Sequence, residues 1–572
     1  MEPHHAETCG NVRVEWSAFA ALVFVVLGLA GCSTKPGAQS KPDAEDRPRA
    51  AQAEAGGQEL AATSRQPATG EQLYTQHCAA CHGPKGDGKG LAAQFVFPKP
   101  RDFRSGRFRL VSTSNGVPTF DDIRTVLRRG MPGSSMPPWP HLSDDEVKRL
   151  AEHIITLRQE GIRESLVAAA TESGDEVSEE DVRNAIGRLT TPGDVVAAVE
   201  LGDATPEAIA HGKELYATKA CAQCHGTSGK GDGQQQMADS EGLPTRPRDL
   251  TRGIFKGSPD PASVWRRISL GMPGTPMPSS QSLTPKEVAD LTHFILSLSN
   301  EKSREAAVLT RQRVMVKQVS CLPAEADSPI WQQVAAFPIR TTPLWWRDDA
   351  EPDLSVQAVH DGKSICFRMS WVDPYPNQDS GRSENFEDAI AVELFRGKSE
   401  PFLGMGAADA PVDMWFWDAD RQSADDIEKM NPNVVVDVYP FNETLVTTAE
   451  YDRSGTRTAA QPPISLPALA AGNQIVPSEK TRAASSLETA GPGSATFRPV
   501  KSQLVDAQGQ WTDGRWTVVM TRSLKVDAAT AGVSLEPGTK ASVAFAIWDG
   551  AAKDRDGKKL VSIWQDLELE RK

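Results

Sequence analysis

Two periods run along this chain. In its first half, apolar residues recur at helical spacing. Val147, Leu150, Ala151, Ile154 and Ile155 share one face behind the capping box Ser143-x-x-Glu146. Val288, Leu291, Ile295 and Leu298 do the same behind Thr284-Pro285-x-Glu287, with proline at the first helical position. Beyond about residue 321 the period drops to two. Ile365, Phe367, Met369 and Trp371 alternate with Cys366, Arg368 and Ser370, and Asp361-Gly362 before them is a hairpin-turn signal. Ile390, Val392, Leu394, then Trp516, Val518, Met520, then Val543, Phe545, Ile547 alternate likewise. The pattern predicts a multidomain protein, two all-α domains followed by an all-β sandwich.

The N-terminus has neither period. Ala18 to Ala30 is an apolar run of about 13 residues, short for a membrane span and suited to a signal-peptide core. Leu29-Ala30-Gly31-Cys32 looks like a bacterial lipobox, which implies cleavage before Cys32 and lipidation of its thiol. A simple cleaved secretory peptide is the alternative. Either reading makes the protein exported, and the first makes it a lipoprotein anchored on the periplasmic side. Residues 32–68, rich in Ala, Ser, Pro, Gln, Lys and Glu, read as a disordered tether reaching about 30 Å.

The helical half repeats itself. Cys78-Ala-Ala-Cys81-His82-Gly83 pairs with Cys221-Ala-Gln-Cys224-His225-Gly226. Pro100-Arg101-Asp102 pairs with Pro247-Arg248-Asp249, and Gly130-Met131-Pro132 through Met136-Pro137 with Gly271-Met272-Pro273 through Met277-Pro278. C-x-x-C-H is a c-type haem attachment: two thiols three apart reach the two vinyl groups of one porphyrin, and the next His sits under the iron. A redox pair or half a zinc site is the competing reading of a lone C-x-x-C, and the exact repetition argues against it. Cys78, Cys81, His82 and Cys221, Cys224, His225 are therefore the expected attachment residues of two covalent haems. A thioether suits the sixth position because it favours reduced iron. Both segments resemble class I cytochromes c, whose ligand Met precedes Pro just before the last helix. The resemblance carries over onto Met136 and Met277, with Met131 and Met272 as pocket-lining neighbours. The expected domains are 69–160 and 205–300, separated by a partly helical acidic spacer, 161–204, and followed by a connector, 301–320.

Net charge −14 argues against nucleic acid, whose phosphates would repel the chain. Ten of the 13 Trp lie beyond residue 321, where aromatic side chains would suit docking. Residues of about 453–497 read as a long surface insertion within the sandwich domain, 321–572. Two segments there carry a resemblance. Pro401-Phe-Leu-Gly-Met405-Gly406 runs into Val412-Asp-Met-Trp415-Phe-Trp417. Phe545-Ala-Ile-Trp548-Asp549-Gly550 runs into Asp556-Gly557-Lys558-Lys559-Leu-Val-Ser562-Ile-Trp564. Together they resemble the haem b-binding subunit of ethylbenzene dehydrogenase and related exported molybdenum enzymes. That implies one non-covalent haem b held between Met405 and Lys559, with Lys558 the competitor. It also implies a molybdenum oxidoreductase with an iron–sulfur subunit as partner. Lysine binds iron only as the neutral amine, which near pH 7 costs ~4–5 kcal/mol for a solvated side chain. A solvated turn at 558–559 and a core role for Met405 are the alternatives. So is a glycan-binding or adhesion module.

These readings make the chain an electron-transfer subunit, not an enzyme. Two haems c and one haem b would link the molybdenum enzyme to a respiratory carrier or oxidase. Matched Met loops argue against the alternative of a dihaem peroxidase, which needs an open iron position. Cys321 and Cys366 are a candidate disulfide in an oxidising compartment.

Overall fold

The computed structural model describes residues 68–105, 107–347, 353–378, 385–422, 483–498, 502–527 and 532–571. The signal segment, Cys32 and the tether up to Pro67 lie outside them. No helix among the described residues is long and apolar enough to cross a membrane.

Each helical repeat folds the same way. Helix α1 (Gly70–His77) begins at a Thr69 capping box, and α2 (Ala79–His82) carries the first Cys-x-x-Cys-His. Helices α3 (Phe120–Arg129) and α4 (Asp144–Ser173) close the domain over a core that includes Leu73, Ile123, Leu127, Val147, Leu150 and Ile154. The Ser143 capping box starts α4 as expected. That helix runs 30 residues and ends at Gly174 in the left-handed conformation, so it extends well into the stretch read as a spacer. Helix α5 (Glu179–Thr190) follows, and Arg163 on α4 pairs with Glu179 at its start. The second repeat uses α6 (Pro206–Thr218), α7 (Cys221–His225), α8 (Pro261–Leu270) and α9 (Pro285–Ser297).

The sandwich begins earlier than its sequence period suggests. Strand β1 (Arg313–Gln318), inside the expected connector, pairs in parallel with a strand of each sheet. One sheet runs through β2 (Leu354–His360), β3 (Ser364–Val372), β8 (Arg515–Ser523) and β7 (Asp506–Thr512). The other runs from β10 (Gln565–Leu569) through β9 (Lys540–Trp548), β4 (Ala389–Phe395) and β5 (Val412–Asp418) to β6 (Ala484–Thr489). Strand β6 is a correction: residues 484–489 lie within the stretch expected to be an insertion, yet they pair with residues 412–417 of β5. The rest of that stretch, up to residue 482, lies outside the described residues.

The alternation sorts side chains as the sequence indicates. Ile365, Phe367, Met369, Trp371, Ile390, Val392, Leu394, Trp516, Val518, Met520, Val543, Phe545 and Ile547 all enter one core between the sheets. The opposite phase of β4 and β9 is unusual. Ala389, Ala391, Glu393 and Ala544 are also buried, on the outer face of their sheet. Cys366 packs with Trp331, Val334, Val359 and Val519 and is a free thiol, so the Cys321–Cys366 disulfide does not form.

Tryptophan serves the interior rather than a docking face. Trp371, Trp415, Trp417 and Trp516 are 0–1% exposed. Trp345 and Trp346 clamp the helical domains: Phe97 packs on both rings at 5.4 and 4.8 Å, and Arg246 lies 5.0 Å above Trp346.

Candidate haem sites

In the first helical domain Cys78, Cys81 and His82 line one wall of a cavity of about 910 Å³, and Met131 and Met136 line it as well. The Met loop is held by its own backbone. Met131 N–H donates to the Met136 carbonyl at 3.0 Å, and Gly130 at φ 68° lets the chain fold over Met136 and Pro137. A side chain at 130 would meet the Met136 carbonyl oxygen at 2.7 Å, so glycine is required there. His82 Nδ1 lies 2.9 Å from the Arg101 carbonyl, and its ring stacks on Phe103 at 4.5 Å. A carbonyl can only accept, so Nδ1 carries the proton and Nε2 keeps a lone pair for iron. Burial pushes the ring down to about 4, which keeps it neutral.

The second domain repeats the loop: Met272 N–H donates to the Met277 carbonyl at 3.1 Å, with Gly271 at φ 69°. It differs around its histidine. His225 Nδ1 is buried with no hydrogen-bond partner among the described residues. Met272 is the more buried thioether of that pair and Met277 is half-buried. Of the other histidines, His77 also lines the cavity, while His153 and His293 pack elsewhere. His153 lies against Tyr74 at 5.1 Å, and His293 meets the Leu201 carbonyl at 3.0 Å.

The cavity does not stop at the helical domain. Its far side is the outer face of the second sheet, lined by Ala389, Ala391, Glu393, Ala544, Ala546 and Trp548, with Met405 and Lys559. Alanines at alternate positions on two paired strands leave a flat apolar bed, a shape that admits a porphyrin. The volume is near the top of the ~300–1,000 Å³ usual for ligand sites. Lys559 lines the cavity and Lys558 does not, which separates the two candidates.

Met405 has φ 85°, between Gly404 at 123° and Gly406 at 72°. Left-handed backbone at a non-glycine residue costs ~1–3 kcal/mol and persists where surroundings over-determine it. Here Met405 N–H donates to buried Glu393 Oε1 at 3.1 Å, and its carbonyl accepts from Gly491 N–H at 2.7 Å. Burial pushes Glu393 up to about 7, opposed by the charge of Lys559. Burial likewise pushes Lys559 down to about 8, although Glu393 favours its charged form. At that value, keeping the amine neutral at pH 7 costs ~1.4 kcal/mol instead of the ~4–5 kcal/mol of a solvated lysine. The donor set therefore fits a haem iron held by thioether and amine.

The two helical domains meet over a cluster of cations. Arg109 pairs with Asp239 at 2.7 Å, and Arg101 with Glu241. Arg248, from the second domain, lines the cavity beside the first. The Nε atoms of Arg109 and Arg248 are buried without acceptors among the described residues. Haem propionates are acceptors of the right charge for such a position. Sequence reasoning passed over Arg109, Arg248, Trp346 and Glu393. The repeated Pro-Arg-Asp motif was the available signal for Arg248.

Helical domains, sandwich and shared cavity together define a multidomain haem protein. Comparison with known proteins agrees. Residues 65–154 match the family model of cbb3-type cytochrome c oxidase subunit III, and residues 209–299 match that of cytochrome c. Residues 328–560 match the family model of ethylbenzene dehydrogenase, so the chain carries two segments similar to cytochromes c and one similar to ethylbenzene dehydrogenase. Three relatives match about the same length. A protein named as a respiratory nitrate reductase haem subunit, from Haloferax mediterranei, is 25% identical over 42% of this chain and 67% of its own. The dimethylsulfide dehydrogenase gamma subunit of Rhodovulum sulfidophilum is 26% identical, over 42% and 73%. The chlorate reductase gamma subunit of Ideonella dechloratans is 25% identical, over 46% and 87%. The cytochrome c domains imply covalently attached haem c.

Proposed function

We propose that this protein is an exported, lipid-anchored electron relay carrying one haem b and two haems c. The sandwich holds haem b between Met405 and Lys559 and exchanges electrons with the iron–sulfur chain of a molybdenum oxidoreductase. Cys78, Cys81 and His82 would hold one haem c and Cys221, Cys224 and His225 the other, and these two sites would connect the sandwich to a respiratory partner. The relatives' names, subunits of nitrate reductase, dimethylsulfide dehydrogenase and chlorate reductase, support a partner enzyme of this class. The Leu29–Cys32 motif supports the anchor.

One observation carries the reading. The Cys-x-x-Cys-His wall of the first cytochrome domain and the Met405–Lys559 face of the sandwich line the same cavity. Haems held by these two sets of residues would share that cavity and would supply reversible one-electron chemistry there. The chain's residues fix their order, exclude water and hold the ligand nitrogens neutral. Met loops on both c domains leave a peroxidase without its open position.

Rapid mixing tests the order. Fully reduced protein is mixed with an oxidised soluble cytochrome c, an acceptor too large to enter the cavity. Oxidation of haem b is followed in wild type and in Cys78→Ala/Cys81→Ala. The relay predicts at least a hundredfold slower haem b oxidation in the variant. Equal rates would show that the first c haem is not on the path.

A further inference from the structure

The first cytochrome domain sends one aromatic side chain across to the ligand loops of the sandwich. After α2 the chain enters a 3-10 helix, Leu91–Phe95. Its start is fixed against the haem-attachment segment. Gly90 N–H donates to the Cys81 carbonyl at 3.1 Å, and a side chain at 90 would collide with the Ala80 carbonyl oxygen. Its end is fixed as well: Lys99 Nζ donates to the Ala93 carbonyl at 2.8 Å, and Val96 is buried. Phe95 therefore projects to a set place. Its half-buried ring lies in the wall of the shared cavity.

That side chain touches two turns. One is closed by Arg555 and Lys558, with Lys558 N–H donating to the Arg555 carbonyl at 2.8 Å. Gly557 sits in it, two residues before Lys559. A Cβ at 557 would lie 2.5 Å from Phe95 Cβ and 2.9 Å from its Cδ1, so Phe95 fills the space that glycine leaves open. The second turn runs from Gly491 to Ser494, where Ser494 N–H donates to the Gly491 carbonyl at 3.1 Å. Its Gly491 N–H is the group that holds the Met405 carbonyl. A Cβ at Gly493, in the same turn, would lie 3.9 Å from Phe95 Cζ. The base of Phe95 thus rests on the turn that leads into Lys559, and its tip on the turn that holds Met405.

We propose that Phe95 is a positioning residue for haem b, a wedge set by the cytochrome domain between the Met405 and Lys559 loops. The inference rests on the reading of those two residues as the haem b ligands. Its physical basis is preorganisation: axial ligands stay in place when the groups behind them are fixed. Both loops need such support. Met405 at φ 85° and Asp556 at φ 51° are left-handed without being glycine, a backbone that persists where neighbours over-determine it. Without the wedge the two turns are free to part, and haem b is lost more readily. Retention of haem b then depends on a domain that contributes no ligand to it. The competing arrangement is interdomain packing alone, in which Phe95 adds stability and leaves haem b retention unchanged.

Transfer of haem b to excess apomyoglobin measures retention in the full-length, haem-loaded protein, because the c haems are held covalently. Wild type is compared with Phe95→Ala, Phe95→Leu and Gly557→Ala, and c-haem content checks that the first domain has folded. Phe95→Ala is expected to release haem b at least tenfold faster while keeping its c haems. Phe95→Leu retains apolar bulk and should recover most of the wild-type rate. Gly557→Ala displaces the wedge from the sandwich side, leaves the cytochrome domain unaltered, and should also speed release. If Phe95→Ala loses its c haems, Gly557→Ala decides. Release from the folded variants at the wild-type rate, whatever their Tm, would overturn this inference alone. A wild-type protein that holds no haem b would overturn the reading of Met405 and Lys559, and the inference with it.

Discussion

The Leu344 amide donates to the carbonyl of Lys559 at 2.9 Å. The Leu344 carbonyl in turn accepts from Phe97 N–H, in the first cytochrome domain, at 2.8 Å. One residue thus joins the backbone of the candidate haem b ligand to the domain bearing the first c haem. Phe97 is locked against Trp345 and Trp346, so the link is rigid. The two candidate haem sites are built as one unit rather than as neighbours on a flexible hinge.

Lys559 should be indispensable for haem b and Lys558 should not. Lys559→Ala is expected to lose haem b affinity by at least tenfold while retaining both c haems. Lys558→Ala, off the cavity wall, should keep a wild-type spectrum. Pyridine haemochrome spectra of the purified variants separate b-type from c-type content directly.

Binding of haem b should weaken as pH falls. Lysine ligates only without its proton, and burial places Lys559 at about 8. Below that value the amine must release a proton to bind, so the dissociation constant should rise ~tenfold per pH unit between pH 8 and pH 6. Above pH 8 it should be flat. Haem b titration of the b-depleted protein gives the curve, and Lys559→Met should flatten it.

The Arg109–Asp239 pair ties the two cytochrome domains together with side chains only 10% and 5% exposed. Removing one partner strands a buried charge, at ~3–5 kcal/mol. Asp239→Asn preserves the carbonyl oxygen that caps Glu241 N–H and Leu243 N–H, so its effect isolates the charge. Urea denaturation should show a loss of about 3 kcal/mol.

Cys366 should resist alkylation in the native state. Its thiol is buried among Trp331, Val334 and Val359, and burial pushes it up to about 11. At pH 8 the thiolate is about one part in a thousand. Iodoacetamide followed by peptide mapping should modify Cys366 only after unfolding.

Much of this architecture is readable in the residues. The repeats, both Cys-x-x-Cys-His sites, the capping boxes at Ser143 and Thr284, and the inward phase of β3, β4, β8 and β9 are local patterns. What the pattern misses is set by tertiary contact. Strand β1 reads as a connector because Arg313–Gln318 is a short segment with only three apolar residues in a row, yet Val314 and Val316 enter the core and it gains its partners from β10 and β2. The alanines of β4 and β9 look like weak outward positions, and only the opposing cytochrome domain makes them cavity walls. Arg109 carries no local signal and Arg248 only a repeated motif; their setting is defined when the two repeats are brought face to face. Residues 484–489 are polar and small, so their pairing with β5 carries no strong period of its own.

Haem stoichiometry tests the central claim most directly. Purified, haem-replete protein is extracted with acid–acetone, and iron and pyridine haemochrome are measured in extract and pellet. One extractable haem b for every two haems retained on the chain is the predicted result, with the extractable haem absent from Lys559→Ala. Two c-type haems and no extractable haem would contradict the account.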